Sequence, residues 1–391
     1  MVIKDRTGAP DRVDDTMAGS YDVIVVGGGQ AGLSLGYYLA REGVRFVILD
    51  ERDRVGDIWR SRWDSMRLFT PARHDGLPGM RFPAPAHAYP TRDEMADFLE
   101  TYAATWNLPV LTGTRVDGLW PAGDGASEYI VTAGDKRFTA SQVVVATGFQ
   151  GQPRVPEVAG QLDPAIRQLH SRDYRTPDDL QAGDVLVVGA ANSGAEIALE
   201  AARDHPTILA GPEVGQTPFP VDTWQGRLVF RAMVFVALHV LTMDTPIGRK
   251  VAPTIRTGHA APLARARRAN LQASGVERTF ARVVGVRDGY PVLDDERVIP
   301  ARNVVWCTGF RLDFSWIHLP VLEDDGYPEH ERGVVPSAPG LFFIGLPFLY
   351  SFGSMVIAGV GQDAKYLARQ VVDRARSEQA AKPVRSVAMT S

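Results

Sequence analysis

Residues Val23–Leu33 read VIVVGGGQAGL, a short apolar run that breaks into glycines. Gly27, Gly29 and Gly32 fill the pattern G-x-G-x-x-G, and each has a distinct task. Gly27 permits a tight turn, Gly29 lets the backbone approach a pyrophosphate, and Gly32 allows a helix to pack closely on a strand. Gln30–Arg41 has helical spacing, with Gly43 where a helix would stop. Gln30 and Ala31 open that helix, whose free N–H groups and dipole favour an anion. Val44–Leu49 reads as a second buried strand, ended by Asp50, 18 residues after Gly32. A carboxylate there can accept hydrogen bonds from a ribose. The segment is a βαβ unit on a parallel sheet, so the fold class is α/β.

The same signature returns 162 residues later, in VLVVGAANSGAEIALE. Gly189 and Gly194 hold the outer glycine positions, and Ala191 replaces the middle one. Asn192 and Ser193 offer side-chain donors to a phosphate. Thr207–Ala210 is the following strand, but Gly211 and Pro212 stand where an arginine or an acid would select between NADPH and NADH. That choice stays open at this level. Two turns in one chain predict two Rossmann-like dinucleotide-binding domains, one nucleotide in each.

The rest of the chain limits the chemistry. It has 391 residues, 45% hydrophobic and 23% charged, an ordinary globular composition of about two domains. A net charge of −4 gives no reason to expect a nucleic acid or an anionic membrane as partner. Cys307 is the single cysteine, so a redox-active cysteine pair and a cysteine-based metal cluster are both excluded. No metal site is expected. The first 20 residues, polar and mixed in charge, read as a loose arm rather than a secretory leader. With no run of about 18 apolar residues, the expectation is a cytoplasmic protein without stable membrane insertion. Arg52–Pro90 has no sustained period and reads as functional loop. Gln142–Val145 and Asn303–Trp306 are strands running into Ala146-Thr147-Gly148 and Cys307-Thr308-Gly309. Leu228–Met243 is apolar nearly all round, and reads as a buried or dimer-contact helix, with a membrane or substrate contact as alternatives. Ser354–Val372 reads as helix and the chain beyond Arg376 as disordered.

These residues carry a resemblance. The paired glycine turns, Val55-Gly56-Asp57-Ile58-Trp59, His170-Ser171-Arg172-Asp173-Tyr174 and the two linker motifs resemble the class B flavoprotein monooxygenases. Those include the flavin-containing monooxygenases and the plant indole-pyruvate monooxygenases. The resemblance spans roughly residues 21–372. Asp57 stands in place of a family glycine, and Pro164 and Ile166 stand where the family signature has Phe and Gly.

The resemblance implies FAD at Gly27, Gly29, Gln30, Ala31, Gly32, Asp50, Trp59, Val116, Thr147, Gly148 and Gly345. It implies NADPH, or NADH, at Gly189, Ala191, Asn192, Ser193, Gly194, His170 and Tyr174. His170 and Tyr174 are equally open to a packing and capping role. The NAD(P)H domain, 166–304, would be inserted into a discontinuous FAD domain, 21–165 and 305–376. The implied activity is insertion of one oxygen atom from O2 into a small organic substrate through a flavin 4a-hydroperoxide. The alternative is an NAD(P)H-dependent flavin reductase or oxidase, or an electron-transfer reductase, without substrate oxygenation. No catalytic side chain is singled out, since such cofactors carry the hard chemistry. A homodimer is compatible with this reading.

Overall fold

The structure is a computed structural model that describes residues 17–123, 128–256 and 262–381. In chain order its first half contains β1 (Met17–Val26), α1 (Gln30–Arg41), β2 (Phe46–Leu49), α2 (Asp57–Arg60), α3 (Arg92–Thr105) and β3 (Val110–Leu111). There follow β4 (Gly118–Pro121), β5 (Tyr129–Ala133), β6 (Lys136–Val145), β7 (Gln152–Pro153) and β8 (Arg167–His170). The second half contains β9 (Val185–Val188), α4 (Asn192–Ala201), β10 (Thr207–Ala210), α5 (Trp224–His239), α6 (Pro246–Arg256) and α7 (Arg268–Ala273). It ends with β11 (Glu277–Thr279), β12 (Val283–Arg287), β13 (Tyr290–Leu293), β14 (Asn303–Trp306), β15 (Phe310–Arg311), β16 (Leu341–Phe343) and α8 (Ile357–Ala381).

The strands form two main sheets. The first has the order β3-β2-β1-β6, with β6 continued on its far side by β5-β4 along one half and by β16 along the other. β1, β2, β3, β6 and β16 run parallel, while β4 and β5 are antiparallel. The second sheet, β11-β10-β9-β14-β8, is parallel throughout. Strands buried on both faces read as unbroken Val/Ile/Leu runs. Accordingly all four residues of β2, β9 and β14 are buried.

A third, two-stranded sheet joins the linkers: β7 pairs antiparallel with β15, Phe310 opposite Pro153. The chain therefore crosses between the main sheets along two strands that are hydrogen-bonded to each other.

Three expectations change. Residues 17–20 are not a loose arm, because β1 begins at Met17 and pairs with β6 along its length. The rest of that arm lies outside the described residues. α8 continues past Arg376 to Ala381, and the tail beyond lies outside the described residues. α5 is not a buried helix: only Gly226 and Phe230 on it are buried, while Trp224, Leu228 and Phe235 are 70%, 60% and 59% exposed. Among the described residues no helix is long and apolar enough to cross a membrane.

Candidate functional site

The first turn is built by backbone crowding. Gly27 has φ +112, and a Cβ there would lie 2.5 Å from the Ala146 carbonyl oxygen at the end of β6. A Cβ on Gly32 would overlap the Gly27 carbonyl oxygen. Gly29 is different. It caps α1 with ordinary extended angles, φ −77 and ψ −172, and no atom lies within 4 Å of where its Cβ would be. Neither strain nor packing demands glycine at 29, and its hydrogen leaves an open cradle against the start of α1. That is the space a pyrophosphate needs to meet the free N–H groups.

Asp50 closes this turn from the end of β2. Its Oδ2 accepts from the Gly28 N–H at 2.5 Å and its Oδ1 from the Arg52 N–H at 2.8 Å. Burial raises its pKa, against the pull of those two N–H groups. Gly28 was not singled out in the sequence, yet a Cβ there would come within 2.6 Å of Asp50 Oδ2. Beyond Asp50 a cleft opens, lined by Glu51, Arg52, Asp53, Asp57, Arg60 and Ser61. Val116 lies two residues past Thr114, whose N–H donates to the Asp50 carbonyl at 2.8 Å. Gly345, with φ +77 at the end of β16, brings its backbone against α1; a Cβ would lie 2.9 Å from that of Ala31. Trp59 is half-buried on α2, and its indole N–H is buried without a hydrogen-bond partner.

The second turn repeats the skeleton. Gly189 has φ +107, and its Cβ position is occupied by the Cys307 carbonyl oxygen, as Gly27 is by Ala146. A Cβ on Gly194 would overlap the Gly189 carbonyl oxygen. Ala191 caps α4 with φ −76 and ψ −174, angles that match those of Gly29. Its methyl group therefore stands without backbone strain where the first turn leaves open space. Asn192 is engaged by the protein: its Oδ1 accepts from the Ala264 N–H at 3.2 Å and its Nδ2 donates to the Pro262 carbonyl at 3.4 Å. Ser193 is partly buried in the first turn of α4.

A pocket opens beside the end of β10, lined in part by Ala190, Leu209, Glu213, Arg268, Arg278 and Phe280. Arg268 is paired with Glu213. Arg278 donates to the carbonyls of Leu209, Gly211 and Pro212 and lies 4.6 Å from the Phe280 ring centroid. No spacing in the sequence points to these two arginines at β10, because they arrive on α7 and β11.

The linkers meet at His170, the buried last residue of β8. Its Nδ1 accepts from the Arg172 N–H at 3.1 Å, which leaves the ring proton on Nε2 to donate to the Gly309 carbonyl at 3.0 Å. Burial lowers its pKa, so the ring is neutral. Thr308 Oγ1 donates to the Arg154 carbonyl, and the Arg154 N–H donates to Gly309 at 2.9 Å. Thr147 is exposed, and Gly148 has φ +72 with open space at its Cβ. Tyr174 requires a correction. It is fully buried in the core under the second sheet and its hydroxyl donates to Glu200 Oε2 at 3.2 Å. A phenol without accessible surface has none to offer a cofactor, so Tyr174 packs and positions α4.

Three comparisons bear on this site. The family model for pyridine nucleotide-disulphide oxidoreductases matches residues 24–210. An uncharacterized CzcO-like oxidoreductase of Geobacillus kaustophilus is 37% identical over 355 residues, 90% of this chain and 98% of that one. A probable indole-3-pyruvate monooxygenase, YUCCA3 of Arabidopsis thaliana, is 26% identical, covering 91% of this chain and 87% of its own. Among solved structures, a flavin-containing monooxygenase from Stenotrophomonas maltophilia is similar with a TM-score of 0.69 and 28% identity, covering 91% and 99% of the two chains.

Proposed function

Because the chain belongs to the class B flavoprotein monooxygenases and is a flavin-dependent enzyme, we propose that it is an FAD- and NADPH-dependent monooxygenase acting on a small organic substrate. The observation that carries this reading is the pair of turns with matching cap geometry on two separate sheets, each turn following a strand paired in parallel with its neighbours. Each sheet then belongs to a dinucleotide-binding domain, and the NADPH domain is inserted into the FAD domain between the paired linkers. FAD, when bound, supplies hydride acceptance from the nicotinamide and reaction with O2.

The residues of this chain do the rest. The Gly29 cradle and the first N–H groups of α1 receive the FAD pyrophosphate, and Asp50 takes the ribose. The N-terminus of α4 receives the diphosphate of NADPH. Arg268 at the β10 pocket supplies the cation that a 2′-phosphate calls for, and Arg278 fixes the carbonyls around it. Neutral His170 ties β8 to the second linker, so that the two sheets keep a defined relation across the site. Cys307 gives no outlet for electrons by disulfide exchange. It is the single cysteine, is buried, and burial pushes its thiol pKa far up.

The test is turnover of the purified yellow protein under 18O2 with NADPH and a panel of thioethers, amines and ketones. The expected result is one labelled oxygen atom in product per NADPH consumed. If peroxide accounts for all the NADPH across the panel, the protein is a reductase or oxidase instead.

A further inference from the structure

The seam between the sheets carries a charge pattern that the two turns leave unused. Arg62 lies in the irregular segment after α2, partly buried, with its guanidinium 5.8 Å from the ring centroid of Phe310 on β15. Among the described residues no carboxylate forms an ion pair with Arg62, Arg172 or Arg175, and the Arg62 side chain donates no hydrogen bond. Arg172 Nη1 donates to the Gly151 carbonyl at 3.3 Å, and Arg175 Nη1 to the carbonyls of Arg172 at 2.8 Å and Tyr174 at 3.2 Å.

The acids nearby are committed elsewhere. Asp64 pairs with Arg92 at 2.7 Å, Asp57 with Arg60 at 2.9 Å, and Glu51 with Arg52 at 3.5 Å. Asp179 Oδ2 accepts from the backbone N–H groups of Arg175 and Thr176 at 2.7 and 3.2 Å. Burial, and then the like charges of Arg172, Arg52 and Arg175, push the Arg62 pKa down to about 10. It remains a cation at neutral pH, with like charges as neighbours and no carboxylate paired with it among the described residues. Such an arrangement is destabilising until an anion joins it. Planar guanidinium groups match carboxylate and phosphate oxygens in particular.

We propose that Arg62, with Arg172 and Arg175, forms an oxoanion-binding site at the linker seam, occupied by the carboxylate or phosphate of an acidic substrate. The substrate is preferred to the cofactors because the two turns and the β10 pocket already take the cofactor phosphates. In that clause the inference rests on the proposed function.

The probes are benzoate and phenyl phosphate, with benzyl alcohol as the neutral control. They are titrated into the full-length flavoprotein by calorimetry and thermal melting, with NADP+ absent or saturating. Wild type is expected to bind both anions and not the alcohol, with NADP+ leaving the affinity unchanged. Arg62→Met should weaken anion binding about tenfold or more, with Arg62→Lys intermediate. If Arg62→Met does not fold, Arg62→Lys and Arg172→Met should each show the loss. Absence of anion binding in wild type, full binding by the variants, or competition by NADP+ would overturn the proposal. None of these readouts requires turnover, so failure here is distinct from failure to oxygenate a substrate.

Discussion

The two glycine turns share a skeleton and differ in what stands on it. Gly27 and Gly32 correspond to Gly189 and Gly194, and in both pairs a backbone carbonyl occupies the place of the missing side chain. Those positions are set by the fold. Positions 28, 29 and 50 correspond to Ala190, Ala191 and Gly211. There the first turn has a buried glycine, an open cradle and a carboxylate, and the second has two methyl groups and a glycine beside a pocket holding Arg268 and Arg278. Crowding of backbone on backbone makes the turn, and the three variable positions are where the two turns differ in space and charge.

The largest expected effect comes from breaking the skeleton on one side only. Gly32→Ala and Gly194→Ala each force a methyl group into a carbonyl oxygen, an overlap that costs about 1–3 kcal/mol or more. Gly32→Ala should purify colourless. Gly194→Ala should stay yellow while NADPH no longer reduces its flavin. Absorbance spectra of the two purified variants check this. Loss of flavin from both would mean that the turns are not independent.

A second difference lies inside the helices, where Ser34 of α1 corresponds to Glu196 of α4. Burial, with Glu200 nearby, raises the Glu196 pKa to about 7, against Arg265 at 4.0 Å. The folded state thus holds this proton more tightly than the unfolded chain, whose carboxyl has the ordinary value near 4.5. Its contribution is fully present below about pH 4.5 and is lost as pH rises through 7. Glu196→Gln should therefore match wild type near pH 4.5 and exceed it at pH 8 by on the order of 2–3 kcal/mol. Denaturant melts at the two pH values test this, and equal stability at pH 8 would refute it.

What could be read in advance followed from how local each cause is. A glycine turn needs only neighbouring residues, so both turns, α1 and strands β9, β10 and β14 lay open in the sequence at their observed places. The Gly28–Asp50 contact joins residues from consecutive strands, and only the acid at the end of β2 gave a signal. Arg268 and Arg278 reach β10 from α7 and β11, a pairing that no spacing announces. Tyr174 followed a family pattern, but its environment was decided by Glu200, which the α4 periodicity turns inward. The β7–β15 pairing rests on two residues from each linker, too few to show alternation.

The β10 pocket, where we place the 2′-phosphate of NADPH, gives the third comparison. Arg268 pairs with Glu213 in the protein as it stands, and both are about half exposed. Arg268→Ala should raise the KM for NADPH about tenfold through loss of a charge-assisted contact, with kcat and the KM for NADH little changed. Steady-state kinetics with both nucleotides decide it. An equal rise for NADH would place Arg268 in the scaffold rather than in selection.

The smallest effects test the comparison most closely, because they convert each turn into the other. Gly29 and Ala191 have the same backbone angles, and the space at Gly29 is empty, so Gly29→Ala meets no strain. Restricting the unfolded chain should then stabilise the flavin-free protein by about 0.4–1 kcal/mol. The same methyl group stands in the cradle, so FAD affinity should fall severalfold. Ala191→Gly should act in reverse, lowering stability by a similar amount while NADPH binds more tightly. Melting of the flavin-free protein, FAD titration and the KM for NADPH measure the two signs separately. Opposite signs for stability and binding at each position follow only if the methyl group competes with a ligand rather than with the protein. If both quantities moved together, position 29 would be a packing glycine like 27 and 32, and the cradle would not exist.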